Sequence, residues 1–407
     1  MLTFEEAQCL VGDHVKPGHI VELPLLHTLG LTLARPVTAR ADSPRFDASA
    51  VDGYAISLAD FSAGPSVSLQ VFGSIHAGST AQKPLKRGST QRIFTGAPVP
   101  KGADAIVMQE DVTVSEDTVT FRSVPERGAS IRKRGAELRR GQPLFERGTV
   151  ITPSVAQTLA ACGHARVKVY ARPSVSVVIT GNELRTPGSK LNMGEIWDSN
   201  SIALEGALRS LGIEKVHIQH VADNPRSTTR AVRSALERSD VVIATGGVSV
   251  GDRDHVKEAF AANGVREIFW RVSMRPGMPI YFGIKRQRGG AKYVFGLPGN
   301  PVSVMVTYQL FARIAMLRMM GHVEDNSRSK GVLATPLKKS VPRTEFVRAY
   351  RESGTEGLPT VFPLGARESH MTTGMANADC LIVFPAEQEF LDAGSEVEII
   401  PIMWAAY

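Results

Sequence analysis

Between residues 173 and 322, short apolar runs alternate with amphipathic segments long enough for a helix. VSVVITG is followed by SNSIALEGALRSLG, VHIQHVA by PRSTTRAVRSALER, DVVIATGG (after a gap) by HVKEAFAANG, and YVFGLPGNPVS by VMVTYQLFARIAMLRMMG. A strand that must return in parallel needs a crossover, and a helix is the usual one, so this spacing predicts a parallel α/β sheet. Asp198 or Ser199 is the expected N-cap of the first helix and Gly212 its stop. Ligands on such sheets lie beyond the carboxyl ends of the strands, so the turns leaving them are where a site is expected.

The rest of the chain has a different texture. A length of 407 residues exceeds one ordinary core. From about 41 to 139, short runs such as VSLQVFG, QRIFTG, DAIVMQE and TVTFRS lie between Gly/Pro turns and read as strands. A Pro-started helix, TPSVAQTLAACG, follows and stops at Gly163. Beyond residue 323, GVLATPL, EFVRAYR, DCLIVFP and EVEIIPI predict a small β-barrel or sandwich.

Composition excludes several classes. Three scattered cysteines (Cys9, Cys162, Cys380) with no CxxC argue against a disulfide frame or zinc ribbon and for a reducing compartment. No apolar run reaches the ~20 residues of a membrane span, and the amino terminus carries acids where a secretory signal needs bases. A cytoplasmic protein with no membrane partner is expected. The net charge of +7 favours anionic ligands in general. IRKRGAELRR (131–140) has no interleaved aromatic residues, so it does not indicate nucleic acid.

The turns after three of the strands carry unusual chemistry: TGNEL (180–184), TGGVSVGDRD (245–254) and LPGNPVS (297–303). Gly246, Gly247 and Gly299 let backbone N–H groups approach an oxyanion such as a phosphate, while Pro301 starts the next helix. Neither the P-loop nor the dinucleotide pattern is present. Asp252 and Asp254 set carboxylates beside this cradle, which an anion alone would repel. A divalent cation between acid and phosphate reconciles the two, and Mg²⁺ prefers one or two carboxylates plus phosphate oxygens and water. Asp254, Glu183, Asp198 and Asp223 all fall at strand ends or first helical turns; helix capping is the competing role for Asp198 and Asp223. Arg271 and Arg275 in FWRVSMRPGMPIYFG offer bidentate forks to a tetrahedral oxyanion, against the plainer reading of solvated surface charge. No Ser-His-Asp or Cys-His set stands out, and His217 and His220 suggest no metal set.

Two further blocks lie in the β region: PRFDASAVDGYAI (44–56), with an Asp52-Gly53 turn, and RIFTGAPVPKGADAIVMQED (92–111). Taken with IRKRGAEL, TGNEL, WDSN, TGGVSVGDRD, PGMPIYFG and LPGNPVS, these segments resemble, in order and over nearly the whole chain, the molybdopterin molybdenumtransferase family of bacterial MoeA and gephyrin-type E domains.

The resemblance implies a multidomain α/β plus β fold. An elongated linker domain would comprise 1–45 and 140–172, an inserted β domain 46–139, a molybdopterin-binding α/β sandwich 173–322, and a small C-terminal β-barrel 323–407. It implies insertion of molybdate into adenylylated molybdopterin, release of AMP, assistance by Mg²⁺, and an elongated homodimer whose site lies between the α/β domain and the partner's β domain. A molybdopterin adenylyltransferase and molybdoenzyme maturation proteins are implied further partners. Carried over by position, Asp52, Thr95, Arg132 and Glu137 match sites on the partner side. Glu183, Asp223 and Asp254 match acidic positions of the pterin domain, with Gly246, Gly247, Ser249, Pro298, Gly299 and Pro301 in its loops. Arg271 and Arg275 match positions often held by lysine, and Arg348 and Ser369 match lesser sites of the last domain. The chain departs at Ala136, where an acid is lost, at Glu137, where aspartate is usual, and at Met278, where PGMP replaces PGKP and a cation is removed. An adenylyltransferase of molybdopterin, which shares the α/β domain and little more, and a non-catalytic molybdopterin-binding scaffold are the rival readings.

Overall fold

The computed structural model describes residues 1–79, 83–247, 255–322, 328–340, 342–353, 357–365 and 368–404. The α/β sheet is six-stranded. Its order runs from Val216–Val221 through Val175–Thr180, Val241–Thr245, Gly290–Leu297 and Tyr281–Gln287 to Arg266–Trp270. The first four strands are mutually parallel, as the strand–helix alternation predicts. Tyr281–Gln287 and Arg266–Trp270 join antiparallel, so the sheet is mixed at that edge. Gln287 and Gly290 close a tight hairpin, so Tyr281–Gln287 and Gly290–Leu297 join without a crossover helix.

Val175–Thr180 and Val241–Thr245 are buried at every position, because helices cover both faces of the sheet. Val177, Ile179 and Ile243 lie in the larger core, and Val178, Val242 and Ala244 in the one on the opposite face. Burying each such Val or Ile stabilises the sheet by roughly 1.5–3 kcal/mol. Two of the site turns therefore leave strands that are buried along their whole length.

The helix Phe4–His14, opened by a capping box between Thr3 and Glu6, packs into the same core. Phe4 meets Phe311 edge-on at 5.8 Å and Phe346 at 4.7 Å. Phe346 belongs to the C-terminal barrel, in which strands Thr344–Glu352, Thr360–Pro363, Ser329–Leu333, Glu396–Pro401 and Cys380–Phe384 close on one another. This shared core holds the barrel beside the α/β sheet. A second connection is backbone: Met274–Arg275 pairs in parallel with Thr344–Glu345.

A further six-stranded sheet runs Ala105–Met108, Gly53–Ile56, Ser89–Ile93, Val67–Ile75, Thr118–Phe121, Val112–Ser115, with its own core around Tyr54, Phe61 and Phe121. Ile20–Pro24 pairs with Arg166–Tyr170 and Val37–Thr38 with Pro143–Phe145, so early and later segments of the chain meet here. No helix among the described residues is long and apolar enough to cross a membrane.

Candidate active site

The carboxyl ends of three parallel strands bring the glycine-rich turns together. The Thr180 hydroxyl donates to the Thr245 carbonyl (3.1 Å), and the Gly246 N–H donates to the Leu297 carbonyl (3.2 Å). Gly246 has φ +79° and no room for a side chain: a Cβ there would lie 2.9 Å from Thr180 Oγ1 and 3.0 Å from the Thr180 carbonyl oxygen. Gly247, at φ +62°, would press a Cβ to 2.8 Å from Val256. Gly299 lies next to Gly246; its Cβ would sit 3.8 Å from the Gly246 Cα. Pro298 and Pro301 bracket this turn, and Pro301 opens the helix Pro301–Thr307. The Asn200 side-chain amide donates to the Gly299 carbonyl at 2.8 Å, tying the turn to the neighbouring helix.

The acids divide into free and engaged groups. Glu183 leaves the first turn, and its carboxylate is in no hydrogen bond or ion pair among the described residues. Asp223 is joined to the same turn through its backbone, whose N–H donates to Asn182 Oδ1 at 3.0 Å, while its carboxylate is likewise uncommitted among the described residues. Asp198 is 2 % exposed, and both its oxygens are used: Oδ1 accepts from the Ser201 N–H (3.0 Å) and Oδ2 pairs with His220 Nε2 (2.7 Å). It is thus the working cap of helix Asn200–Ser210, one residue before the geometric cap position Ser199, whose side chain makes no cap bond. Burial raises the Asp198 pKa, but the hydrogen bonds from Ser201 and His220 outweigh it and hold the group below its ordinary value. Ser249 and Asp254 lie outside the described residues, as do Gly251 and Asp252.

Two basic groups come from the hairpin side. The Arg271 guanidinium stacks on the Trp270 ring at 4.0 Å, with Lys257 Nζ also 3.8 Å from that ring. Arg275 is exposed at the end of the short strand that joins the barrel. The barrel supplies the other two predicted residues. Arg348 is 4 % exposed and donates from both terminal nitrogens to the Glu368 carbonyl (3.3 Å each). Ser369 accepts from Asn300 Nδ2 at its hydroxyl (2.9 Å) and from the Val302 N–H at its carbonyl (3.1 Å). The third turn and the barrel are therefore one structure at this point.

The β-region residues form their own group. Asp52 Oδ1 accepts from the Thr95 N–H (2.7 Å) and hydroxyl (2.8 Å). These two bonds, backbone first, hold the Asp52 carboxyl below its ordinary pKa, with Arg92 adding to the effect. Arg132 is exposed in a short strand paired with Ala48, and Glu137 Oε2 accepts from the Ser43 hydroxyl (2.7 Å). Within one chain, none of these four is hydrogen-bonded or ion-paired to the turns of the α/β sheet among the described residues.

Sequence reasoning missed Asn182, Asn200 and His220. Each sits within three residues of a predicted acid, in TGNEL, in WDSN, and just before ADNP, and that proximity is the one signal by which the sequence could have marked them. His220 belongs to no metal set among the described residues; its partner is the Asp198 carboxylate.

The comparisons with known proteins cover this whole arrangement. Residues 2–163 match the model of the MoeA N-terminal region (domain I and II), 176–318 that of a probable molybdopterin binding domain, and 330–402 that of the MoeA C-terminal region (domain IV). The chain is 33% identical over 405 residues to a Haemophilus influenzae protein named molybdopterin molybdenumtransferase, covering 98% of each. A Staphylococcus aureus protein of the same name is 35% identical over 385 residues, covering 93% of this chain and 90% of that one. Two solved structures of the molybdopterin biosynthesis MoeA protein from Pyrococcus horikoshii superpose with TM-scores of 0.83 and 0.80, at 29% and 26% identity, over 98% and 99% of this chain and 99% and 100% of those. On the strength of three ordered domain matches and relatives aligned from end to end, the chain belongs to the molybdopterin molybdenumtransferase, or MoeA, family.

Proposed function

We propose that this protein is a molybdenum insertase of molybdenum cofactor biosynthesis. It transfers molybdate to the dithiolene of adenylylated molybdopterin, with hydrolysis of the pyrophosphate link and release of AMP. The observation that carries the reading is the meeting of three glycine-bearing turns at one end of the parallel sheet, with the barrel's Ser369 bonded to Asn300 of the third turn and the Glu183 and Asp223 carboxylates uncommitted among the described residues. Relatives that align over nine-tenths or more of both chains bear the name of this transferase.

In this reading Gly246, Gly247, Ser249 and Gly299 hold the pterin phosphate through backbone and hydroxyl donors, and Pro298 and Pro301 set the turn. Arg271 and Arg275 bind molybdate, with Arg348 and Ser369 closing the subsite from the barrel. Glu183 and Asp254 would hold Mg²⁺; the fit rests on Glu183, a hard oxygen donor with no protein partner among the described residues. When bound, the ion offsets charge developing on the leaving phosphate. Asp223, whose backbone is tied to Asn182 of the same turn, would accept from water. Asp198 was the third candidate ligand, but its two engaged oxygens suit it to positioning the helix that holds Gly299. Among the described residues no three His, Cys, Asp or Glu side chains form a ready metal cage. That is compatible with an ion shared between protein and phosphate.

Asp52, Thr95, Arg132 and Glu137 belong to the site through a second copy of the chain, which makes the working form a homodimer. A cytoplasmic location, supply of substrate by a molybdopterin adenylyltransferase and hand-over to molybdoenzyme maturation proteins complete the reading.

The test follows AMP released from adenylylated molybdopterin with molybdate and Mg²⁺. Turnover dependent on both, and lost in Asp254→Ala, is expected. ATP-dependent adenylylation of molybdopterin instead would establish the adenylyltransferase reading. Tight pterin binding without turnover would establish the scaffold.

A further inference from the structure

The segment Pro276–Pro279 is held firmly. The Val272 N–H donates to the Met278 carbonyl (3.0 Å), and Gly277 packs so closely that a Cβ would lie 2.4 Å from Thr307 Cγ2. The Met278 thioether therefore has a defined place at the junction of sheet and barrel. Arg343 reaches it from the barrel: its Nη1 lies 3.1 Å from Met278 Sδ. Arg343 is fixed from behind, since Lys339 Nζ donates to its carbonyl at 2.7 Å.

A thioether is a weak, uncharged acceptor and neutralises nothing. Neither Arg343 nor Arg275 is in an ion pair with a carboxylate among the described residues. The backbone brings them close together, because Met274 and Arg275 are in register with Thr344 and Glu345, and Arg343 immediately precedes that strand. The Arg343 guanidinium thus lies against an uncharged side chain, and its charge, like that of Arg275 on the paired strand, meets no carboxylate in an ion pair among the described residues. A guanidinium has five N–H donors in a planar fork, and the contact with Met278 occupies one of them. A doubly charged tetrahedral oxyanion suits the remainder.

We propose that Arg343 is an oxyanion-binding residue of the molybdate subsite, supplying from the C-terminal barrel the positive charge that Met278 does not provide. The inference rests on the function proposed above. It makes affinity for the oxyanion depend on the docking of barrel to sheet, since Arg275 comes from one and Arg343 from the other.

The experiment measures sodium molybdate binding to the full-length protein by calorimetry, together with AMP release against molybdate and against adenylylated molybdopterin. Arg343→Met is expected to raise both the molybdate Kd and its half-saturating concentration by about tenfold or more, leaving the KM for the pterin substrate within about threefold. Adding Met278→Lys to that variant should restore molybdate affinity to within about threefold of the parent, because the charge returns to the same place. Unchanged molybdate binding in Arg343→Met overturns the proposal. So does a parallel loss for both substrates that Met278→Lys does not rescue, which would mean that Arg343 only docks the barrel. Should Arg343→Met not fold, Met278→Lys in the parent decides: tighter molybdate binding supports the proposal, and unchanged or weaker binding overturns it. A parent protein that neither binds molybdate nor releases AMP would instead sink the proposed function, so the two failures are distinguishable.

Discussion

The Asp52 carboxylate takes two hydrogen bonds on one oxygen, both from Thr95, at 2.7 Å from the backbone N–H and 2.8 Å from the hydroxyl. The turn after Ser89–Ile93 is thereby clipped to the turn before Gly53–Ile56, and the second carboxylate oxygen takes no hydrogen bond among the described residues. Both bonds favour the charged form, so Asp52 is ionised further into acid than an ordinary aspartate.

Thr95→Val removes one of those donors and keeps the backbone bond. The Asp52 pKa should rise toward its ordinary value, which carboxyl-carbon NMR titration can follow. The sign is fixed by the direction of the shift. A carboxylate with a lowered folded-state pKa contributes stability that is complete above its unfolded value and is lost as pH falls through the folded one. In the variant that loss begins at higher pH. Asp52→Asn should cut turnover on the order of a hundredfold. If the site spans two copies, mixing Asp52→Asn with Asp254→Ala subunits should restore part of the activity, because one of the two sites in a mixed dimer is intact. No recovery on subunit exchange would place both residues in one chain's site.

Asp198 and His220 form a buried-to-exposed pair at 2.7 Å, with side-chain exposures of 2% and 57%. Asp198→Ala leaves the Ser201 N–H without its cap and should cost about 1–3 kcal/mol, read as a lower urea midpoint. Here too the folded pKa is depressed. The contribution is therefore present above the ordinary aspartate range and lost as pH falls below it. Loss of stability between neutral pH and mild acid in the parent, absent from the variant, would contradict this assignment.

Gly246 and Gly299 differ in a way that substitutions can separate. Gly246→Ala combines a positive φ with contacts of 2.9 and 3.0 Å, so destabilisation of about 1–3 kcal/mol is expected by thermal unfolding. Gly299 has ordinary φ, and an added Cβ meets only the Gly246 Cα, at 3.8 Å. Gly299→Ala should fold within about 0.5 kcal/mol of the parent. If the turn approaches the pterin phosphate, that variant still loses turnover. Full activity in Gly299→Ala would remove this turn from the phosphate cradle.

The residues themselves determined the parallel strands, the helices between them and the turns that end them. Those features depend on local chemistry: continuous apolar runs such as DVVIA, caps such as Thr152, and glycines where a side chain has no space. The antiparallel edge was not legible, because FWRVSMRPGMPIYFG mixes apolar residues with two arginines and gives no clean period. Tertiary packing alone decided which acids stay available. Asp198 and Glu183 look alike as strand-end acids, yet a histidine on a neighbouring strand and a helix amide consume one and leave the other. The meeting of Arg343 with Met278, 65 residues earlier, was also invisible, since it depends on how a barrel closes against a sheet through the core shared by Phe4, Phe311 and Phe346. Turn and strand signals act over a few residues, whereas the charge balance of the pocket is set by side chains that only the packing of separate cores brings together.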